Sequence, residues 1–206
     1  MYDGWDISTP DKISSLDTLI MRWTDWETDK IFSSDIKNIH SVIAPYNRFT
    51  VDTERLLNDP LENNGQGILY TKYENSHRII DNNLRMQLMN IYWEHISSLN
   101  EKLTPDALLI DCHSFPEDLS QDIDICIGYN NDWSKPENEL IDLIKTHFES
   151  NDYTVGINIP YSNSLTPACD FNYTSLMIEL NKRTYSAGIT KIQKCIRELY
   201  EKIICI

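Results

Sequence analysis

Glycine is scarce in this 206-residue chain, 6 in all, and no Gly/Ser-rich or low-complexity stretch divides it into parts. Basic residues are outnumbered as well: 18 Lys and Arg stand against 32 Asp and Glu, a formal charge of −14. A surface of that sign repels phosphate, and no basic run offers a local exception, which argues against nucleic acid and anionic membrane as partners. The apolar runs are a few residues long, too short for a membrane-spanning helix. The opening stretch MYDGWDISTPDK is acidic and lacks the apolar segment of a secretory signal. The five cysteines (Cys112, Cys126, Cys169, Cys195, Cys205) are odd in number, widely spaced and free of CxxC pairs, as expected of reduced thiols in a cytoplasm. GxSxG and HExxH are missing, which argues against a serine α/β-hydrolase and a zincin. Gly65-Gln66-Gly67 continues into neither GxGxxG nor GxxxxGK, so it is no phosphate loop.

What is present suffices for an ordinary core. The chain is 41% hydrophobic and 10% aromatic, too apolar for disorder, and at this length roughly 70% of the unfolded surface is buried on folding. The expectation is one domain spanning 1–206. Periodicity predicts one or two helices over 10–32, strands over 39–45 (IHSVIAP) and 49–54 (FTVDTE), and a helix from Ser76 to about Leu103, stopped by Pro105. DALLIDC (106–112), DICIG (124–128), YTVGINI (153–159) and SLMIELN (175–181) read as strands, 136–150 as an amphipathic helix and the chain from about 187 as a closing helix. Alternating strands and helices of this size predict an α/β fold: three layers, α/β/α, with a mixed central sheet.

Ligands of such sheets collect beyond the carboxyl ends of the strands. DALLIDC runs into His113, and a period of two puts Asp111 and His113 on one side with Cys112 opposite. That suits an imidazole metal ligand oriented by a carboxylate; a pair capping the next turn explains the same spacing. Glu179, flanked by Met177, Ile178 and Leu180, is costly to bury unless paired, and burial raises a carboxylate toward the range of a general base. An ion pair with Lys182 or Arg183 is the alternative. Arg48, Asp52, Glu54 and Arg55 lie within NRFTVDTER; two guanidiniums there suit bidentate grip on a carboxylate, as they also suit a solvated charged strand. His95 falls on the apolar stripe of its helix and reads as a core or boundary residue, and His147 as a surface one.

In order and spacing, TDWETDKIF (24–32), NRFTVDTER (47–55), GILYT (67–71), LLIDCHSFP (108–116), DICIGYN (124–130), YTVGINIPYSNSLTP (153–167) and MIELNKRTY (177–185) resemble the N-formylglutamate amidohydrolase family. The resemblance implies a fold akin to zinc carboxypeptidases and aspartoacylases, and a zinc-dependent hydrolase of N-formyl or other N-acyl acidic amino acids. It implies His113 and Asp25 as zinc ligands and Glu179 as the base. It further implies Arg48 at the developing oxyanion, Arg55 on a carboxylate of the small anionic substrate, and Asn181 and Tyr185 along the pocket. Two departures are visible. The family's first-strand His-Ser-Gly motif has no counterpart in residues 1–23, so the chain is expected to be shortened at its N-terminus, with the first strand missing and the zinc site weakened. A family member that binds an anionic ligand or a protein partner without turnover is the alternative. An exposed sheet edge then favours homo-oligomers. Lys182 also replaces the family's Arg, keeping charge but losing the bidentate fork.

Overall fold

Pairing between two long apolar segments, Leu108–Phe115 and Thr174–Asn181, organises the larger half of the chain. The computed structural model describes residues 3–205. Its elements are, in chain order, α1 (Pro10–Trp23), α2 (Thr28–Phe32), β1 (Lys72–Tyr73), β2 (Ser76–His77), α3 (Asn82–Asn100), β3 (Leu108–Phe115), β4 (Ile125–Gly128), α4 (Asn138–Glu149), β5 (Val155–Ile157), β6 (Thr174–Asn181) and α5 (Thr190–Ile203). They fall into two compact units. One takes the chain up to Thr24 with Val42–Glu101; the other takes Asp25–Ser41 with everything from Lys102.

The larger unit carries a four-stranded sheet ordered β3-β6-β4-β5. β3 runs parallel to β6, β6 antiparallel to β4, and β4 parallel to β5, so the sheet is mixed as expected. Alternation along the strands sorts their side chains. Ile110 and Cys112 of β3, Ile125 and Ile127 of β4, and Leu176, Ile178 and Leu180 of β6 pack with Ile144 and Phe148 of α4, Ile192, Cys195, Ile196 and Leu199 of α5, and Ile31 and Phe32 of α2. Each such fully buried branched side chain contributes about 2 kcal/mol, which secures the register of every strand. Asp111, His113, Glu179, Met177 and Cys126 are thereby directed to the opposite face.

In the smaller unit the Thr9 side chain caps α1 by accepting from the Lys12 N–H, and Pro10 fills the first turn. Leu16 and Leu19 then pack on Trp5, Phe49 and Tyr70. α3 starts at Asn82, six residues later than the periodicity predicts, because Ser76–His77 pairs antiparallel with Lys72–Tyr73 and Asp81 supplies the cap to Leu84. It buries Leu88, Tyr92, Ile96 and Leu99.

Two predicted strands do not form. Residues 39–45 stay largely exposed and, among the described residues, lie outside any sheet; the β-branched run has no neighbour to pair with, and Pro45 removes a donor. Residues 49–54 turn instead, because Asn47 Oδ1 accepts the Phe49 N–H and Asp52 Oδ1 the Glu54 N–H, satisfying the backbone locally.

His147 is not on the surface. It is 2% exposed, with Nε2 2.8 Å from the Cys195 carbonyl and Nδ1 2.9 Å from Lys202 Nζ. Its position three residues after Ile144 and one before Phe148 carries the signal for burial. Burial pushes this imidazole below its usual value, the Cys195 carbonyl resists, and Lys202 pushes it lower again. The unfolded chain therefore binds the proton more readily than the folded one, and stability falls as pH drops through about 6.5. Urea midpoints of the wild type are expected to fall more steeply between about pH 7.5 and about pH 5.5 than those of His147→Gln; parallel slopes would remove His147 from the acid response. No helix among the described residues is long and apolar enough to cross a membrane.

Candidate active site

The polar face of the sheet is built on one row. His113 of β3 is in register with Glu179 of β6, and Glu179 with Cys126 of β4; one step back, Asp111 matches Met177. Residues paired in register share a face of the sheet, so His113 and Glu179 sit side by side, each 9% exposed. Burial pushes the Cys126 thiol up to about 11; a hydrogen bond with Tyr161 resists, and the neighbouring negative charge of Glu179 adds to the rise.

His113 is held between two carboxylates. Nε2 lies 2.7 Å from Asp111 Oδ1, and Nδ1 lies 3.4 Å from Asp25 Oδ2. Burial would raise the Asp111 carboxyl, but His113 and the Leu165 N–H, which donates to Asp111 Oδ2 at 2.9 Å, outweigh it and hold it below the usual range. An ionised Asp111 only accepts, so Nε2 carries a hydrogen, and Nδ1 is left facing Asp25 Oδ2, where it can hold a proton or bind a cation. Asp25 comes from the turn before α2 and is fixed in turn: its Oδ1 accepts the Ser114 N–H at 2.7 Å and the Ser114 hydroxyl at 2.9 Å.

Two acceptor atoms facing each other repel unless a cation or proton lies between them. Tetrahedral zinc with ligands at about 2.0–2.1 Å spaces them roughly 3.3–3.4 Å apart. The spacing of Nδ1 and Oδ2 and the carboxylate–imidazole pair behind them therefore fit a divalent metal. Sequence spacing identified the Asp111–His113 pair. It gave no sign of Ser114 as the clamp on Asp25, which lies 89 residues away.

Tyr185 is buried beside this group. Burial pushes its phenol up to about 12; Ser114 draws it down, while the Asp25 carboxylate raises it further, so it stays neutral. Asn181 does not line open space: it is fully buried, its amide donates to the Ser120 and Ile123 carbonyls, and its oxygen accepts the Arg183 N–H. Its work is to shape the turn after β6. Arg183, one cation weighed for Glu179, pairs with Asp124 at 2.9 Å.

In the smaller unit, neither arginine of NRFTVDTER is an unopposed charge on a strand. Arg48 Nη2 donates to Glu54 Oε1 at 2.8 Å, and Arg55 Nε lies 3.5 Å from Asp52 Oδ2. Tyr70, which periodicity did not single out, donates from its hydroxyl to that same Asp52 oxygen at 2.8 Å.

A family model described as N-formylglutamate amidohydrolase matches residues 9–186. Among solved structures, that of N-formylglutamate amidohydrolase from Ralstonia eutropha JMP134 is similar with a TM-score of 0.70 at 18% identity, covering 98% of this chain and 86% of that one. The gene product Atu2144 from Agrobacterium tumefaciens is similar with a TM-score of 0.54, also at 18% identity, over 77% of this chain and 68% of that one. No curated protein sequence matches. At such identities the two structures speak to the fold alone.

Proposed function

Because this chain belongs to the N-formylglutamate amidohydrolase family, we propose that it hydrolyses the N-formyl, or another N-acyl, amide of an acidic amino acid such as N-formyl-L-glutamate. The observation that carries this reading is the row that sets Glu179 beside His113, with Asp25 and Asp111 on either side of the imidazole. His113 Nδ1 and Asp25 would hold a divalent metal, zinc by family resemblance. When bound, such an ion supplies Lewis acidity that makes water nucleophilic near neutral pH.

The chain's own groups do the rest. Glu179 accepts a proton from the attacking water as its oxygen adds to the formyl carbon. It then returns that proton to the amine nitrogen as the C–N bond breaks, so water and amide become formate and a free amino acid. Asp111 keeps Nε2 protonated and so keeps Nδ1 facing Asp25. Tyr185 offers a neutral hydroxyl beside Asp25 and Ser114. The family resemblance assigns Arg48 to the developing oxyanion and Arg55 to a substrate carboxylate. The five free cysteines support a reducing, cytoplasmic setting.

The test is formate release from N-formyl-L-glutamate by protein purified with added zinc. Turnover that a chelator abolishes and zinc restores is expected. Stoichiometric zinc with no release from any N-acyl acidic amino acid would leave a binding protein in place of an enzyme.

A further inference from the structure

Arg55 is held at three points inside its own unit. Its Nε edge faces Asp52 Oδ2 at 3.5 Å, its carbonyl accepts the Tyr92 hydroxyl at 3.0 Å, and its N–H reaches back to the Asp52 carbonyl at 3.4 Å. Asp52 is itself only 1% exposed and is anchored on every side. Its N–H donates to the Ile68 carbonyl at 2.9 Å, Oδ1 accepts the Glu54 N–H at 3.1 Å, and Oδ2 accepts the Tyr70 hydroxyl at 2.8 Å. The Tyr70 ring is locked by stacking on Tyr73, centroids 5.9 Å apart, and by an edge contact with Phe49 at 5.8 Å. Burial keeps the Tyr70 phenol protonated, so it remains a donor.

A guanidinium has two edges suited to a carboxylate. Asp52 faces the Nε edge of Arg55 at 3.5 Å, an ion pair without a hydrogen bond. At the far end Asp59 Oδ2 stands 4.0 Å from Nη1, an ion pair beyond hydrogen-bond reach. Asp52 and Asp59 thus hold the guanidinium by charge, and neither makes a hydrogen bond to its Nη1/Nη2 edge.

We propose that Tyr70 and Asp52 are positioning residues that orient Arg55 and set the affinity of the protein for a carboxylate-bearing substrate. The inference rests on the assignment of Arg55 to the substrate carboxylate. Tyr70→Phe is the variant of choice, because it keeps the ring packing and removes one hydroxyl. It is expected to raise KM for N-formyl-L-glutamate, and Kd for glutarate by titration calorimetry, roughly five- to tenfold, with kcat within about twofold. Arg55→Lys is expected to cost more, and the double variant no more than Arg55→Lys alone within about twofold, since Tyr70 acts through the guanidinium.

Unchanged KM and Kd in Tyr70→Phe would overturn the proposal, as would additive losses in the double variant. A wild type that binds glutarate more tightly than Tyr70→Phe does but releases no formate would sink the hydrolase reading and leave this one standing. A wild type that binds no glutarate would overturn it.

Discussion

Glu179→Gln is expected to lower kcat for formate release by about 10²–10⁴-fold while leaving bound zinc unchanged. The substitution keeps the shape of the side chain and its place in the row between His113 and Cys126, but an amide cannot take up a proton and hand it on. A carboxylate among Met177, Ile178 and Leu180 in a nearly dry strand is costly to fold around. The variant should therefore melt at or above the wild-type temperature, as is common when a residue kept for chemistry is neutralised. A large fall in kcat together with undiminished stability separates loss of a base from loss of structure. Equal kcat in the two proteins would remove Glu179 from the mechanism.

How much of this could be read from the residues differs from element to element. The strands β3, β4 and β6 are legible because each is a short, nearly continuous apolar run bounded by turn residues, too short for a buried helix. The alternation of Asp111, Cys112 and His113 carried over directly: Cys112 packs with the helices, and Asp111 and His113 meet at 2.7 Å. Residues 39–45 and 49–54 misled because β-branched composition states a preference, whereas a strand requires a neighbour, and short polar side chains at Asn47 and Asp52 offered the backbone a cheaper local solution. The helix begins at Asn82 and not at Ser76 because Ser76–His77 has a pairing partner in Lys72–Tyr73.

The site shows the same division. Asp25 and His113 are 88 residues apart, and no periodicity relates them; only family resemblance pointed to Asp25. The register of His113 with Glu179 likewise follows from how β3 slides on β6, which is set by Ile110, Leu176 and Ile178 on the other face of the sheet. Burial chemistry that leaves no trace in spacing was missed. The family resemblance sets Asn181 along the pocket; its three hydrogen bonds commit it to the turn after β6. NRFTVDTER sets Arg48 and Arg55 close to Asp52 and Glu54, but their spacing gives no sign of which carboxylate answers which arginine.

His113→Ala is expected to lose stoichiometric zinc altogether, measured by elemental analysis after gel filtration, and formate release with it. The reason is not only a missing ligand. Without the imidazole, Asp111 is left buried and short of the partner that holds its charge. Removing one member of such a buried pair costs about 3 kcal/mol, so the variant should also unfold at lower urea. Asp111→Asn separates the two effects. It retains His113 but allows either imidazole nitrogen to carry the hydrogen, which should weaken metal binding roughly 10–100-fold while the protein still folds and, at saturating zinc, still turns over. A metal affinity unchanged in Asp111→Asn would mean that the carboxylate behind His113 stabilises the strand and does not direct Nδ1, and zinc retained in His113→Ala would place the metal elsewhere.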